Sequence, residues 1–237
     1  MNAIPRIASV AALIAEPARA RMLNALFGGE TLTATDLALA AGVTIQTASS
    51  HLAMMREAGL LTADRRGRSH YYRLAGSAVA DAMEALAVLA ADSAHPRWRA
   101  SLRVEPIRLA RTCYDHLAGM LGVAVTEAMV KRRHLTPENG DFILRPAGER
   151  FFAALEIDVG QMRSLRRRFA SQCLDWSERQ PHLAGALGAA LAERCFGLGW
   201  IRRAPASRAV IVTPKGQEAF EDVFAIAPAA WPRAARQ

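Results

Sequence analysis

Cysteine is scarce in this 237-residue chain, which has only Cys113, Cys173 and Cys195. An odd, sparse set excludes a secreted disulfide scaffold and points to a reducing, cytoplasmic compartment. Lysine is scarcer, with only Lys131 and Lys215, so arginine carries almost all of the net charge of +8. No apolar run reaches the roughly 20 residues of a membrane span, and no membrane partner is expected. The opening MNAIPRIASVAALIAEP has one charge, Arg6, and an apolar run broken by Ser9. With Ile7, Val10 and Ile14 at helical spacing, it reads as an amphipathic helix rather than a leader. Also missing are a strand followed by a glycine-rich cofactor loop, a metal-hydrolase motif and a nucleophile elbow. An enzyme is therefore not expected.

What remains is an ordinary globular composition, 51% hydrophobic and 22% charged, long enough for one large domain or two small ones. The basic balance favours a polyanion, and arginine's planar fork suits phosphates and guanine edges. A generally arginine-rich composition is the bland explanation of the same charge.

The first part reads as helices over about 4–15, 17–27, 34–41 and 44–58, a hairpin over 60–74 and a fifth helix from about 77. Pro17 opens the second helix and Gly28-Gly29 stops it. In the fifth, Val79, Met83, Leu86 and Ala90 form an apolar stripe that either packs on its own domain or seals a dimer. The third helix, ATDLALAA, the glycine Gly42 and the fourth helix have helix-turn-helix spacing. Thr44 caps the fourth helix; Ala48, Leu52 and Met55 are its inward face. Gln46, Thr47, Ser49 and Ser50 lie outward near its start, with His51 further round. Such a helix fits the major groove of double-stranded DNA and offers donors and acceptors to base edges. The hairpin tip places Arg65, Arg66 and Arg68 on the phosphates or in the minor groove. Of the paired tyrosines one packs inward and the other reaches phosphate; Tyr72 is taken as the phosphate contact.

DLALAAGVTIQTASSHLAMMREAGLLTADRRGRSHYYRL resembles the ArsR-type winged-helix repressors, with HL…REAGLL and RGRSHYYRL as its specific pieces. The resemblance covers roughly residues 10–92. It implies a homodimer formed by the first and last helices of that domain, a palindromic operator, and release of DNA when an effector binds. Two departures matter. The helix before the recognition helix has no cysteine, and the last helix offers Asp81, Glu84 and Asp92 with His95 beyond its end. Both usual metal sites of the family are thus in doubt, and many relatives stop near residue 100.

The remainder reads as a linker over 95–106, a helical domain over 107–226 and a tail over 227–237, the first domain being 1–94. IRLARTCYDHLAGMLGVAVTEAMVKRRHL reads as one long amphipathic helix, placing Cys113 and His116 at i, i+3 on one face. SQCLDWSERQPHLAG supplies Cys173 and His182. The paired segments resemble those of a long-chain subgroup of the same family, and each precedes HLAG, as two equivalent helix starts would. Thiolate and imidazole suit zinc or another soft metal. A metal sensor, a thiol redox switch, a small organic effector and plain packing all stay open for these four residues. No resident cofactor is expected, with a metal ion as the alternative. QMRSLRRRFASQCLDW, residues 161–176, reads as a further helix on which Arg163, Arg166 and Arg167 sit near one another, where they extend the DNA footprint or form a solvated face. No fixed-period repeat is seen. The late hairpin WIRRAPASRAVIVTP and the helix after it repeat the order of 60–90, as a second winged-helix-like unit would. The fold class is therefore mainly α with small β-hairpins (α+β). The function expected is a DNA-binding transcriptional regulator, a homodimeric repressor released by an unidentified small effector sensed in the second half. A protein-interaction module that has lost DNA binding is the competing class.

Overall fold

The computed structural model describes residues 7–29, 31–92, 105–204 and 207–227. All of the expected linker except Glu105 and Pro106, His95 within it, and all of the tail after Ala227 lie outside these. The chain divides into two compact units, residues 1–80 and 81–237.

The first unit begins with α1 (Ile7–Ala15) and α2 (Pro17–Leu26). Pro17 occupies the first turn of α2, where its missing N–H is not needed, and Glu16 caps it by accepting from Arg19 N. A two-residue strand, β1 (Leu32–Thr33), leads into α3 (Ala34–Ala41), which opens on a reciprocal Thr33–Asp36 capping box. Gly42 ends α3 with a φ of +70°, a left-handed conformation in which a side chain is strained. Two residues later α4 (Ile45–Glu57) begins, capped by Thr44 on Thr47 N. Ala48, Leu52 and Met55 are its fully buried face, and α4 packs on α3, whose Leu37 and Ala41 are also fully buried. The hairpin β2 (Leu61–Arg66) and β3 (Ser69–Leu74) follows, with β1 added outside β3 to give the order β1-β3-β2. β1 is too short to show a period in the sequence. Helix α5 (Ser77–Asp92) runs across the boundary between the units in sequence.

In the second unit the expected long helix is absent. It breaks into α6 (Glu105–Leu109), a hairpin of β4 (Arg111–Cys113) and β5 (His116–Ala118), and α7 (Gly119–Lys131). Tyr114, at the turn, has a φ of +58°, and Cys113 pairs directly with His116. The two ligand candidates therefore face each other across a hairpin, not along a helix. Next come β6 (Leu135–Glu138), β7 (Asp141–Leu144) and α8 (Pro146–Ala154). The helix expected over 161–176 is likewise split. Its first part is α9 (Val159–Ser164), and the rest includes β8 (Ser171–Leu174), which pairs with β9 (Pro181–Ala184). The chain closes with α10 (Gly185–Gly197), the hairpin β10 (Ile201–Arg203) and β11 (Val210–Val212), and α11 (Pro214–Phe224).

The order hairpin, helix, hairpin, helix thus occurs twice, from β4 to α8 and from β8 to α11. The sequence carries the same duplication: HLAGMLG at 116–122 answers HLAGALG at 182–188, and Pro146-x-Gly148 answers Pro214-x-Gly216. Phe152 and Phe220, six residues after those prolines, are both fully buried. The two copies exchange partners: α7 packs on β9 and α10 on β5. The repeat has unequal loops, two residues between β4 and β5 but six between β8 and β9, so it shows no fixed period. The whole is a mixed α/β fold, a winged-helix region followed by a larger, mostly helical region with further small sheets.

Candidate functional site

In the first unit, Gln46, Thr47, Ser49 and Ser50 are exposed on the N-terminal half of α4, opposite its buried face. Thr44 and Thr47 are tied to each other, with their hydroxyl oxygens 2.9 Å apart, and Ser49 Oγ donates to Ile45 O. His51 is half-buried and turns back to α2, its Nδ1 3.3 Å from Arg19 Nη1 and its Nε2 3.7 Å from Glu16 Oε2. That engagement removes it from the free outer face. Arg65, Arg66 and Arg68 are exposed at the hairpin tip. The tyrosine assignment is reversed: Tyr72 is buried, opposite Leu32 and Ala63, while Tyr71 lies outward under the Arg66 guanidinium at 5.2 Å. Strand alternation demanded one of each, and the added strand β1 decides which.

In the second unit, Cys113, His116, Cys173 and His182 are brought together, with one ligand atom from each all within 4.8 Å of one another. Cys113↔His116 and Cys173↔His182 are the corresponding cross-strand pairs of the two repeated hairpins. Close approach is secured by Gly122 and Gly188. A Cβ on Gly188 would collide with the Leu183 carbonyl and come 3.4 Å from His116 Cβ; on Gly122 it would collide with the Leu117 carbonyl and come 3.8 Å from His182 Cβ.

The geometry fits a tetrahedral ion. Zinc bonds of about 2.3 Å to sulfur and 2.0–2.1 Å to nitrogen give tetrahedral edges of about 3.8 Å between sulfurs and 3.3 Å between nitrogens. Here the Cys113 and Cys173 Sγ atoms are 3.9 Å apart and the His116 and His182 Nε2 atoms 3.2 Å apart. Each outer ring nitrogen faces a carboxylate: His116 Nδ1 lies 3.4 Å from Asp115 Oδ1, and His182 Nδ1 3.8 Å from Asp175 Oδ2. The first is within hydrogen-bond reach, as in the carboxylate–histidine pairs that orient metal-binding imidazoles, whereas His182 Nδ1 faces its carboxylate without bonding it. The cluster can coordinate a metal ion.

Three of the four groups are perturbed by their surroundings. Its contact with Cys173, and then burial, pushes the Cys113 thiol well up. Burial works to lower His116, but its interactions with Cys113 and Asp115 outweigh it and hold this ring up at about 9. Burial and the His116 charge push His182 down. Asp175 is held below the usual carboxylate range. Burial opposes this, but Arg111, His182 and hydrogen bonds from Ser177 and Gly119 N prevail. The carboxylates were signalled in the sequence by Cys-x-Asp occurring twice, at 113–115 and 173–175. The Arg163, Arg166 and Arg167 group does not share a helix: α9 ends at Ser164, Arg163 pairs with Glu149, and Arg167 pairs with Asp115 at 2.5 Å.

Residues 14–63 match a model of a helix-turn-helix domain. Over 217 residues the chain is 41% identical to the uncharacterized HTH-type transcriptional regulator YdfF of Bacillus subtilis (strain 168), covering 92% of this chain and 96% of that protein. The chain belongs to the HTH-type transcriptional regulators. Among solved structures, it is similar to the homodimeric winged helix-turn-helix DNA-binding domain of a possible ArsR-family regulator from Mycobacterium bovis. That match has 30% identity, covers 38% of this chain and 82% of that one, and has a TM-score of 0.35. It is also similar to the cadmium sensor CMTR of Mycobacterium tuberculosis, with 35% identity, 34% and 82% coverage and a TM-score of 0.30. By its family and the fold of its first unit, the protein is a DNA-binding regulator of the winged-helix type with a sizeable C-terminal domain beyond it. Its family is not catalytic. Among the described residues no helix is long and apolar enough to cross a membrane.

Proposed function

We propose that this regulator is an ArsR-like homodimer that reads a palindromic operator with α4 and the β2–β3 wing, and that its DNA affinity responds to a metal ion held by Cys113, His116, Cys173 and His182. One observation carries the metal reading: two thiols and two imidazoles, from two separate hairpins, with their ligand atoms inside 4.8 Å. A closed set of four nitrogen and sulfur ligands suits zinc or a similar soft divalent ion better than magnesium or calcium, which take oxygen. This replaces an organic effector as the preferred signal. Gln46, Thr47, Ser49 and Ser50 serve as base readers and Arg65, Arg66, Arg68 and Tyr71 as phosphate contacts. Dimerisation is supported by α1, which is apolar yet has no buried residue, with Ile7 71% exposed. The second unit, with its twofold hairpin–helix order, serves as a pair of winged-helix-like modules that hold the ion between them.

The test is metal analysis of the full chain purified without chelator, followed by retention of the DNA fragment upstream of its own gene before and after metal removal. One zinc per chain and a metal-dependent DNA affinity are expected. Absence of bound metal, combined with a Cys113–Cys173 disulfide on mild oxidation that alters DNA binding, would shift the reading to thiol redox sensing. The sulfurs would then close from 3.9 Å to about 2.05 Å.

A further inference from the structure

Helix α5 is anchored in the second unit by a buried charge beside the half-buried Met83, Ala87 and Val88. Over residues 81–90 its one buried side chain is Glu84, whereas Leu86 and Leu89 are exposed. A helix held by apolar packing buries its leucines and leaves glutamate in water. Glu84 Oε1 instead accepts from Arg111 Nη2 at 3.2 Å, and its Oε2 lies 3.9 Å from Arg208 Nη1. Beside this contact a cleft of about 440 Å³ opens between α5 and β8, with Asp81, Val88 and Leu89 on one wall and Gln172 and Cys173 on the other. Charge as well as partial apolar packing fastens α5 here.

The fastening leads to the metal centre. Arg111 is fully buried, stands two residues before Cys113, and donates from the same Nη2 to Asp175 Oδ2 at 2.9 Å. Asp175 stands two residues after Cys173. Its Oδ2 also accepts from Gly119 N at 2.6 Å and faces His182 Nδ1 at 3.8 Å. A buried line of charged groups therefore runs from His182 through Asp175 and Arg111 to Glu84. The matching carboxylate of the other repeat, Asp115, ends instead on the partly exposed Arg167. The two repeats share ligands but differ in what stands behind them.

We propose that Asp175 and Arg111 couple the occupancy of the Cys113–His116–Cys173–His182 centre to α5 through Glu84. The inference rests on the metal reading above and adds to it the route by which the ion is felt. An ion on His182 Nε2 fixes the proton on Nδ1, which lies 3.8 Å from Asp175 Oδ2 without a hydrogen bond, and draws that N–H and the carboxylate together. Asp175 Oδ2 already accepts from Arg111 Nη2 and Gly119 N, so a new pull from His182 weakens its hold on Arg111. Arg111 then depends more on Glu84. Because α5 is one continuous helix from Ser77, a change in how Glu84 is held is passed to the residues that close the first unit.

The experiment uses the full chain as wild type, Glu84→Gln and Glu84→Ala. Zinc affinity is measured by competition with a chromophoric chelator, and amide exchange of residues 81–92 is followed with and without zinc. Retention of the upstream DNA fragment gives a second readout. The wild type is expected to bind zinc, to change α5 exchange on binding, and to change DNA affinity by at least about fivefold, the lower range of allosteric coupling. Both variants are expected to bind one zinc but to leave α5 exchange and DNA affinity unchanged within about twofold. Glutamine keeps an acceptor for Arg111, so this variant carries the comparison if alanine unfolds the protein. A Glu84→Gln protein whose α5 responds to zinc like the wild type would overturn the proposal. So would a wild type that binds zinc with no change in α5. A wild type that binds no zinc at the four residues instead refutes the metal reading itself.

Discussion

His116 and His182 bring their Nε2 atoms within 3.2 Å of each other, while each turns its Nδ1 towards a different aspartate. Two rings so placed repel if both are protonated, and one ion between them resolves the conflict. Metal removal should therefore destabilise the second unit selectively. At free zinc a thousandfold above Kd, binding contributes about 4 kcal/mol, which for a unit of this size is roughly 10 °C in Tm. Calorimetry with and without chelator checks this. Cys113→Ser and Cys173→Ser should each lose the ion. Cys195→Ala should retain it, because Cys195 lies in the core with its thiol pushed up to about 12 by burial. Protons compete for thiolate and imidazole, so zinc affinity should fall as pH falls.

Gly188→Ala and Gly122→Ala should damage the centre without touching a ligand. Each new methyl meets a backbone carbonyl that cannot swing away, and each stands next to the histidine of the opposite repeat. Overpacking of this kind costs about 1–3 kcal/mol. The test is zinc affinity beside thermal stability: both should drop in both variants, with the first unit melting as before. A variant with wild-type zinc affinity would show that the glycines are not needed for the approach of the two hairpins.

The reading head was legible because its signals are local. Gly42 and Thr44 mark helix ends by turn and capping chemistry, and Ala48, Leu52 and Met55 repeat at helical spacing within thirteen residues. The metal centre was legible only as chemistry. Cys113, His116, Cys173 and His182 stood out by type, but the helical reason given for their pairing was wrong. The strands β4 and β5 have three residues each, and β5 passes into α7 at Ala118 with no side-chain cap to mark the change. Ala118 and Ala184 both lack that cap, so the apolar pattern ran on across both strand-to-helix junctions. Glu84 and Arg111 could not be paired from sequence, since their meeting depends on how α5 lies along β4 and β8.

Tyr71 and Tyr72 should separate cleanly by mutation. Tyr72 is buried between β1 and β2, and Tyr72→Ala should cost about 3 kcal/mol or more of first-unit stability. Tyr71 is half-buried under Arg66, so Tyr71→Ala should cost clearly less stability than Tyr72→Ala and should weaken DNA retention. Denaturant melts and DNA titrations of the two variants decide it. The opposite pattern would mean the wing meets DNA with its other face.

The wing arginines should show themselves in the salt dependence of binding. Arg65, Arg66 and Arg68 are exposed, and Arg65 Nε already donates to Gly67 O within the turn, which leaves Arg66 and Arg68 as the freer pair. Each phosphate contact displaces counterions and adds about 0.9 to the slope of log affinity against log salt. Arg66→Ala combined with Arg68→Ala should therefore weaken retention of the upstream fragment and flatten the slope by about 1.8, with zinc content unchanged. The measurement is a titration at several salt concentrations. If affinity fell with the slope unchanged, these arginines would be reading base edges instead of phosphates. If neither changed, the wing would not be part of the DNA-binding surface.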